Sequence, residues 1–528
     1  MEHSEFRILL VYANSFMDTL IPLSISSLAS HLHEAGFDVR LFDTTFYKTN
    51  EDVSSDTMRL ESEQVKDFSK DSRQFPVYYN AEDTFRILVT DFAPHIIGMS
   101  CVEPTFPLTL RLIESISDTD IPIAIGGVFA IFAPEKLIDI PGVSMVCIGE
   151  GEKDFPELCK RIAAGEDYTA TSNFWIKKDD VIYKNPSALV ELCDENKYIS
   201  PFFELFEEAR FFRPMSGKVY RMLPLEFSRG CPYKCTYCSA PALLQKFETD
   251  GKWFRDRPLS TIEKDIQFYI ENYSVEYLYF VSETFLAMSG RRFADFIKMY
   301  SKYRIPFWLN TRSETITEKK IEQLESIGCH RMSIGIEHGN YEFRKKMLKR
   351  VTTNEKIIEA CRIVKSSSIE LSVNNIIGFP DETKALIFDT IRLNRSIDAD
   401  SHTALIFQPY VGTWLRQYCI NNDLYSAETI ARDNSFEPVI KNRFVSEEEI
   451  CELTRLFNTY RQLPESDWLE LERVNGIRPE DFPLDDASQT TPTPVELVRS
   501  TRSNDGAVQP RSNAPIDPLH IPNEHPHL

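Results

Sequence analysis

The chain has no uninterrupted apolar stretch of about 18 residues, the length a helix needs to cross a bilayer, so no membrane span or membrane partner is expected. It also lacks a basic run leading into an apolar one at its start. Met1 to Phe6 carries two acids instead, so no export signal is expected. Positive charge is in deficit. A formal net charge of −21 opposes polyphosphate backbones, which demand a basic stripe, and no nucleic-acid partner is expected. Eleven cysteines in 528 residues are too sparse for a dense disulfide framework. Without an export signal they imply a reducing cytoplasm and available thiols. No internal repeat is present. What remains is a globular composition, 42% hydrophobic with 36 Phe and 21 Tyr, long enough for two or three domains.

Residues 1–165 alternate apolar strand-like runs with amphipathic helical runs, the rhythm of a parallel sheet covered on both faces. Phe6–Tyr12, Asp38–Phe42, His95–Ser100, Ile121–Ile125 and Ser144–Ile148 read as five strands. Leu20 to Ala35 reads as the first helix, with Gly36 in the C′ position. The polar stretch 44–84 reads as an insertion. A less regular linker, 166–221, is followed over 222–410 by six strand–helix units. Their strands are Leu223–Phe227, Glu276–Val281, Pro306–Asn310, Arg331–Ile336, Glu370–Ile377 and Thr403–Gln408. Six such units fit a partial TIM-type (βα)6 barrel, whose chemistry sits at the carboxyl ends of the strands. The expected fold class is therefore α/β: a doubly wound, Rossmann-like domain, a partial barrel, and a small helical region over 411–484. Residues 485–528 are rich in Pro, Thr, Ser and Asn without apolar periodicity and read as a disordered tail.

Directly after the first barrel strand stands Ser228-Arg-Gly-Cys-Pro-Tyr-Lys-Cys-Thr-Tyr-Cys238, with Cys231, Cys235 and Cys238 spaced C-x-x-x-C-x-x-C. Iron–sulfur clusters are normally held by four thiolates, so a loop offering three leaves one iron open to bind a small molecule. A zinc site is the duller alternative, but zinc favours paired short spacings and no second pair follows. The run resembles the signature of the radical S-adenosylmethionine (radical SAM) superfamily. That resemblance implies a 4Fe-4S cluster on Cys231, Cys235 and Cys238, with the open iron chelating SAM. An electron from the cluster would then cleave SAM to a 5′-deoxyadenosyl radical.

The wider resemblance, over about residues 5–415, is to radical SAM enzymes with an N-terminal cobalamin-binding domain. It implies a SAM contact at each strand end. Glu283 would meet the amino group and Arg312 the carboxylate. Glu337 in Ser333-Ile-Gly-Ile-Glu-His-Gly339 would meet the ribose. Gly378 in Asn375-Ile-Ile-Gly-Phe-Pro-Asp-Glu-Thr383 and the amide of Tyr237 would meet the adenosine. Ser333 and Asn375, which open those two elements, are counted with them. Singly, Glu283 and Glu382 would serve as caps of the helices that follow, and Arg312 as a barrel-mouth ion pair. In the first domain Ser100, Gly126, Gly127, Gly149 and Glu150 are the implied cobalamin contacts. The D-x-H-x-x-G string that supplies a histidine to cobalt is missing; His31 and His33 read as a helix terminus.

The resemblance implies methylation of an unactivated centre on a small-molecule intermediate, with a flavodoxin or ferredoxin as electron donor. A non-methylating cyclisation, rearrangement or oxidation is the second reading, and a non-catalytic cluster-binding scaffold the third. A methylthiotransferase would carry a second cysteine trio in the first domain, where Cys101, Cys147, Cys159 and Cys193 are scattered. Tyr410, Trp414 and Tyr418 are candidate substrate-lining residues, Trp414 more readily a core residue. Arg344, Lys345, Lys346, Lys349 and Arg350 read as a solvated helix face or an anion clamp.

Overall fold

Five short apolar runs near the start pair as parallel strands in the computed structural model: β1 (Arg7–Tyr12), β2 (Asp38–Asp43), β3 (Ile96–Ser100), β4 (Ile123–Gly126) and β5 (Val143–Cys147), in the order β2-β1-β3-β4-β5. Ile8 and Leu10 face one side and pack under the helices Leu23–Glu34 and Asp154–Ala164. Leu9 and Val11 face the other, under Ala81–Phe92 and Phe106–Ser115. Burial on both faces is why β1 reads as a continuous apolar run and not as an alternation. The structure describes residues 3–49, 55–68, 75–189, 192, 198–247, 253–435 and 437–469. All of them fall in one unit, and the expected tail at 485–528 lies outside them.

The sheet has two more strands than the sequence reading gave it. β6 (Phe174–Lys178) and β7 (Val181–Lys184), inside the expected linker, add antiparallel to β5. Their turn is Asp179-Asp180, with φ of 50° and 60°. Aspartate tolerates that left-handed geometry, but an Asp-Asp pair is a far weaker hairpin signal than Asn-Gly.

The second sheet holds β8 (Phe212–Met215) antiparallel to β9 (Lys218–Glu226), then β12 (Tyr277–Val281), β13 (Phe307–Thr311), β14 (Cys329–Glu337), β15 (Glu370–Ile377) and β16 (Ser401–Ile406), parallel from β9 onward. The two-residue ribbon β10 (Ser228–Arg229) and β11 (Arg255–Asp256) brackets the cysteine loop. β8 and β16 are the two edges of the sheet, so the barrel is partial, as expected. The polar insertion of the first domain reaches this barrel. Lys66 pairs with Glu370 at 2.7 Å, and Asn458 donates to the carbonyls of Ser62 and Glu63. The stretch reads as polar because it docks through hydrogen bonds instead of apolar area.

Within the helical region expected over 411–484 stand the helices Glu447–Arg455 and Phe457–Gln462, the first opened by a Ser446/Glu449 capping box. Among the described residues no helix is long and apolar enough to cross a membrane.

Buried His402 on β16 gives the fold a pH dependence. Its Nδ1 lies 2.9 Å from Asn394 Oδ1, and burial lowers its pKa to about 3. Above pH 6.5 it is neutral folded or unfolded and contributes nothing. As pH falls below 6.5 the unfolded chain takes up a proton that the folded chain refuses, so stability drops by about 1.4 kcal/mol per pH unit. The urea midpoint should fall between pH 7.5 and 5.5, and less so in His402→Asn.

Candidate functional site

The three cysteines of the loop after β9 sit among hydrogen-bond donors. Arg312 Nη1 donates to Cys235 Sγ at 3.1 Å, the amide of Ala240 to Cys238 Sγ at 3.5 Å, and Thr284 Oγ1 lies 3.8 Å from Cys231 Sγ. Burial pushes the thiol of Cys238 up to about 12 and that of Cys231 above its ordinary value. Uncompensated thiolates are therefore disfavoured here, and a bound cation would reverse this by deprotonating its ligands outright. Among the described residues no three His, Cys, Asp or Glu side chains converge as around a single metal ion. A cubane holds its ligands at separate corners, so the fit is judged from these sulfur environments. Hydrogen bonds to sulfur are one of the protein's means of setting a cluster's potential.

Arg312 is more committed than the sequence indicated. Its Nε donates to Glu314 at 2.6 Å and its guanidinium stacks 3.8 Å above the Tyr233 ring, so it braces the cysteine loop from β13. Glu283, after β12, keeps a solvent-accessible carboxylate recessed among protein atoms. Desolvation raises its pKa to about 7.

Along the next wall Tyr237, Glu337 and Arg350, a member of the basic run expected as a solvated helix face or an anion clamp, form one network. Arg350 Nη1 donates to the Tyr237 hydroxyl and to Glu337 Oε1, each at 3.2 Å, and Nη2 to the Gly335 carbonyl. Glu337 has φ of 70°, at a bulge where β14 shifts register against β15. A non-glycine residue held there costs energy and is aimed by its surroundings. Arg344 is also buried, bonded to the carbonyls of His338 and Thr352. Of the five basic residues in that run, only the three lysines are exposed.

The strand ends of β14 and β15 are tied by a pair the sequence did not reveal. Glu382 Oε2 accepts from the amides of Gly378 (2.6 Å) and Phe379 (2.9 Å), and Oε1 lies 2.9 Å from His338 Nε2. His338 Nδ1 accepts from the Asn340 amide, which fixes the ring proton on Nε2. Glu382 thus holds the Gly378 turn instead of capping the following helix, where Thr383 is the cap. Gly378 itself has φ of +79°, and a Cβ there would meet Ile450 at 3.0 Å, so the turn's own conformation already requires glycine.

Asn375 is not brought to this wall. Its amide is exchanged with Asn394 of the outer helix Lys384–Arg395, and it is fully buried. Side chains alternate along a strand, so its neighbour Asn374 is the one on the barrel's inner face. Ser333 is on the inner face but deeper, accepting from Trp308 Nε1 at 2.8 Å.

In the first domain Ser100, Gly126, Gly127, Gly149 and Glu150 all line one cavity of about 1090 Å³. Pockets for drug-sized ligands run to about 1,000 Å³, so this one suits a large ligand. Gly127 has φ of +103° and its missing Cβ would lie 2.5 Å from the Cys101 carbonyl, so the turn after β4 has room for glycine alone. Residues of the expected linker, among them Asn173, Ala188 and Tyr198, form another wall. The barrel contributes Glu226, Arg229 and Trp253. Arg229, two residues before Cys231, reaches Glu150 (3.0 Å), Glu152 (2.9 Å) and Glu226 (2.9 Å), and Arg255 also pairs with Glu150. The Glu150 carboxylate is therefore bound to two barrel arginines, which makes it a bridge between the two sites. A second bridge runs from the loop after Ser100: buried Glu103 accepts from Arg416 at 2.6 Å and from the amides of Val411 and Ala431. Tyr410 and Tyr418 bond to Arg432 and Asp381, and Trp414, expected in the core, is 42% exposed.

Comparison with known families decides what this pair of sites is. Residues 225–393 match the Radical SAM superfamily and residues 9–159 the B12 binding domain. The chain is a cobalamin-binding radical SAM protein. An uncharacterized methyltransferase of Pyrococcus horikoshii is 25% identical over 70% of this chain and 78% of its own length. The anaerobic magnesium-protoporphyrin IX monomethyl ester cyclase of Rubrivivax gelatinosus is 23% identical over 72% and 68%. Among solved structures, the radical S-adenosylmethionine methyltransferase TsrM of Kitasatospora setae shares the fold at a TM-score of 0.59. It is 17% identical, over 78% of this chain and 76% of that one. The cofactors of this radical SAM protein are a 4Fe-4S cluster, SAM and cobalamin. The donor-rich thiol loop fits the first, and the glycine-floored cavity, lined also by Arg229, fits the last.

Proposed function

We propose that the protein is a cobalamin-dependent radical SAM methyltransferase that methylates an unactivated centre of a small-molecule intermediate in a reducing cytoplasm. One observation carries the reading: the first-domain cavity is lined in part by Glu226 and Arg229, the residues that lead into the cysteine loop, so it reaches the barrel two residues from Cys231. When bound, the cluster and SAM supply a 5′-deoxyadenosyl radical, and cobalamin supplies the methyl group. The chain's own residues hold and orient. Cys231, Cys235 and Cys238 ligate the cluster while Arg312 steadies Cys235. Glu283 accepts the SAM ammonium. Glu337, aimed by Arg350, takes the ribose hydroxyls, and the Tyr237 amide and Gly378 turn take the adenosine. Ser100, Gly126, Gly127 and Gly149 floor the corrin site. An acidic flavodoxin or ferredoxin is the electron donor. The relative from Rubrivivax gelatinosus, named as a cyclase, keeps a non-methylating reaction as the second reading.

Anaerobic reconstitution with cobalamin, followed by assay with SAM and dithionite, tests this. About four irons per chain, bound cobalt, 5′-deoxyadenosine and S-adenosylhomocysteine are expected. 5′-Deoxyadenosine without S-adenosylhomocysteine, in the presence of turned-over substrate, would favour the second reading. Absence of iron would end both.

Glu283 gives the proposal a pH signature. Its carboxyl is protonated below about 7, and an ammonium ligand needs it ionised. SAM affinity should weaken as pH falls below 7, approaching tenfold per unit by titration calorimetry. In Glu283→Gln binding should be weaker and flat with pH.

A further inference from the structure

Thr236, between Cys235 and Cys238, is buried and ties the cysteine loop to the segment that carries the basic run. Its amide donates to the Leu348 carbonyl (3.4 Å), its hydroxyl to the Met347 carbonyl (2.6 Å), and its carbonyl accepts from the Leu415 amide (3.1 Å). The residues beside these anchors point outward. Lys345, Lys346 and Lys349 are exposed on one side, and Lys234 is exposed two residues before Thr236. Two apolar side chains close in sequence to the same anchors are exposed as well, Val351 at 67% and Trp414 at 42%. Lys349 is held at φ of 56°, a conformation that costs energy for a side chain of this kind. Lys346 has only an exposed ion pair, 3.4 Å from Glu342, worth little against an incoming partner. Four exposed lysines close in sequence to these anchors stand out on a chain whose net charge is −21. Exposed apolar groups beside polar and charged ones are the makings of a transient protein interface.

We propose that this patch is the docking surface for an acidic one-electron carrier protein, which delivers the reducing electron to the cysteine loop across the Leu348–Thr236 contact. The proposal rests on the radical SAM reading above and says where its reductant binds. One electron leaves the reduced carrier, which is oxidised by one, and reduces the cluster by one. The sulfonium carbon–sulfur bond of SAM then accepts that electron and breaks. The lysines steer an acidic partner toward a chain that otherwise repels it, and steering of this kind is lost as salt rises.

The test uses the full-length, reconstituted enzyme and the triple charge reversal Lys345→Glu, Lys346→Glu, Lys349→Glu, with SAM cleavage driven either by dithionite or by reduced flavodoxin. Iron content and cluster absorbance show that the variant is intact. With dithionite the two proteins should cleave SAM at equal rates. With flavodoxin at low ionic strength the variant should be at least tenfold slower. The wild-type rate should fall with added salt while the variant's stays flat. Val351→Ser should raise the flavodoxin concentration at half-maximal rate and leave the dithionite rate alone. Equal flavodoxin rates in wild type and variant would overturn the proposal. So would a loss shared equally by dithionite and flavodoxin, which would assign the lysines to the site itself. Heparin binding lost with flavodoxin turnover unchanged would give the patch to another polyanion. A wild-type protein that cleaves no SAM with dithionite would instead fail the radical reading, and is read separately.

Discussion

Glu382→Ala is expected to cost about 3–5 kcal/mol of folding stability and to abolish SAM binding at concentrations that saturate the wild type. The side chain is fully buried, accepts from the amides of Gly378 and Phe379, and lies 2.9 Å from Nε2 of His338. Alanine leaves both amides without an acceptor in a place water does not reach, and an unpaired buried donor costs about 1–3 kcal/mol. The Gly378 turn then loses what holds it, and His338, next to Glu337, loses its orientation. Glu382→Gln sharpens the test. Its amide can keep an oxygen on the two backbone donors, but then points N–H groups at the His338 proton. It should lie between wild type and alanine in urea midpoint, and closer to alanine in SAM affinity. A variant as stable as wild type would show that the pair is not what ties β14 to β15.

The second large effect is expected at Arg229. Its guanidinium serves Glu150, Glu152 and Glu226, and those partners hold its pKa well above the ordinary arginine range. Arg229→Ala removes the guanidinium that serves three carboxylates, of which Glu150 keeps Arg255, and should cost about 3–5 kcal/mol at pH 8. Cobalt retained after gel filtration should fall, because the loop Gly149–Glu152 both lines the cavity and bonds to Arg229. Arg229→Lys should rescue little, since one ammonium cannot match the planar fork that serves three carboxylates. Retained cobalt and unchanged stability in the alanine variant would show that the bridge is not what couples the two sites.

Much of the site was legible because each element stands at a strand end, and apolar strands are readable from composition. The cysteine loop, the Gly-Gly turn after β4 and the Gly-Glu-Gly-Glu loop after β5 are short and contiguous, so spacing alone picks them out. Asn375 shows the limit. A period-two strand puts adjacent asparagines on opposite faces, and nothing local says which face is inside. Arg350 shows another. In the sequence it ends a basic run that reads as a solvated helix face, and only the turn after the helix Tyr341–Lys346 carries it inward. The β6–β7 hairpin was hidden by its Asp-Asp turn, and the docking of residues 55–68 by its polarity.

The sequence by itself determined the chemistry on offer: three thiols at a spacing that leaves an iron open, glycines where a chain must turn after a strand, and acids and an arginine at successive strand ends. These are local properties, set by residue type and spacing within about ten positions. Only the tertiary structure decided which charges meet. Arg229 with Glu150, Glu103 with Arg416, His338 with Glu382 and Arg350 with Glu337 join residues from 13 to 313 positions apart. Such pairs leave no periodicity in the chain, because a carboxylate on one loop and a guanidinium on another become partners only when two sheets bring their carboxyl ends together.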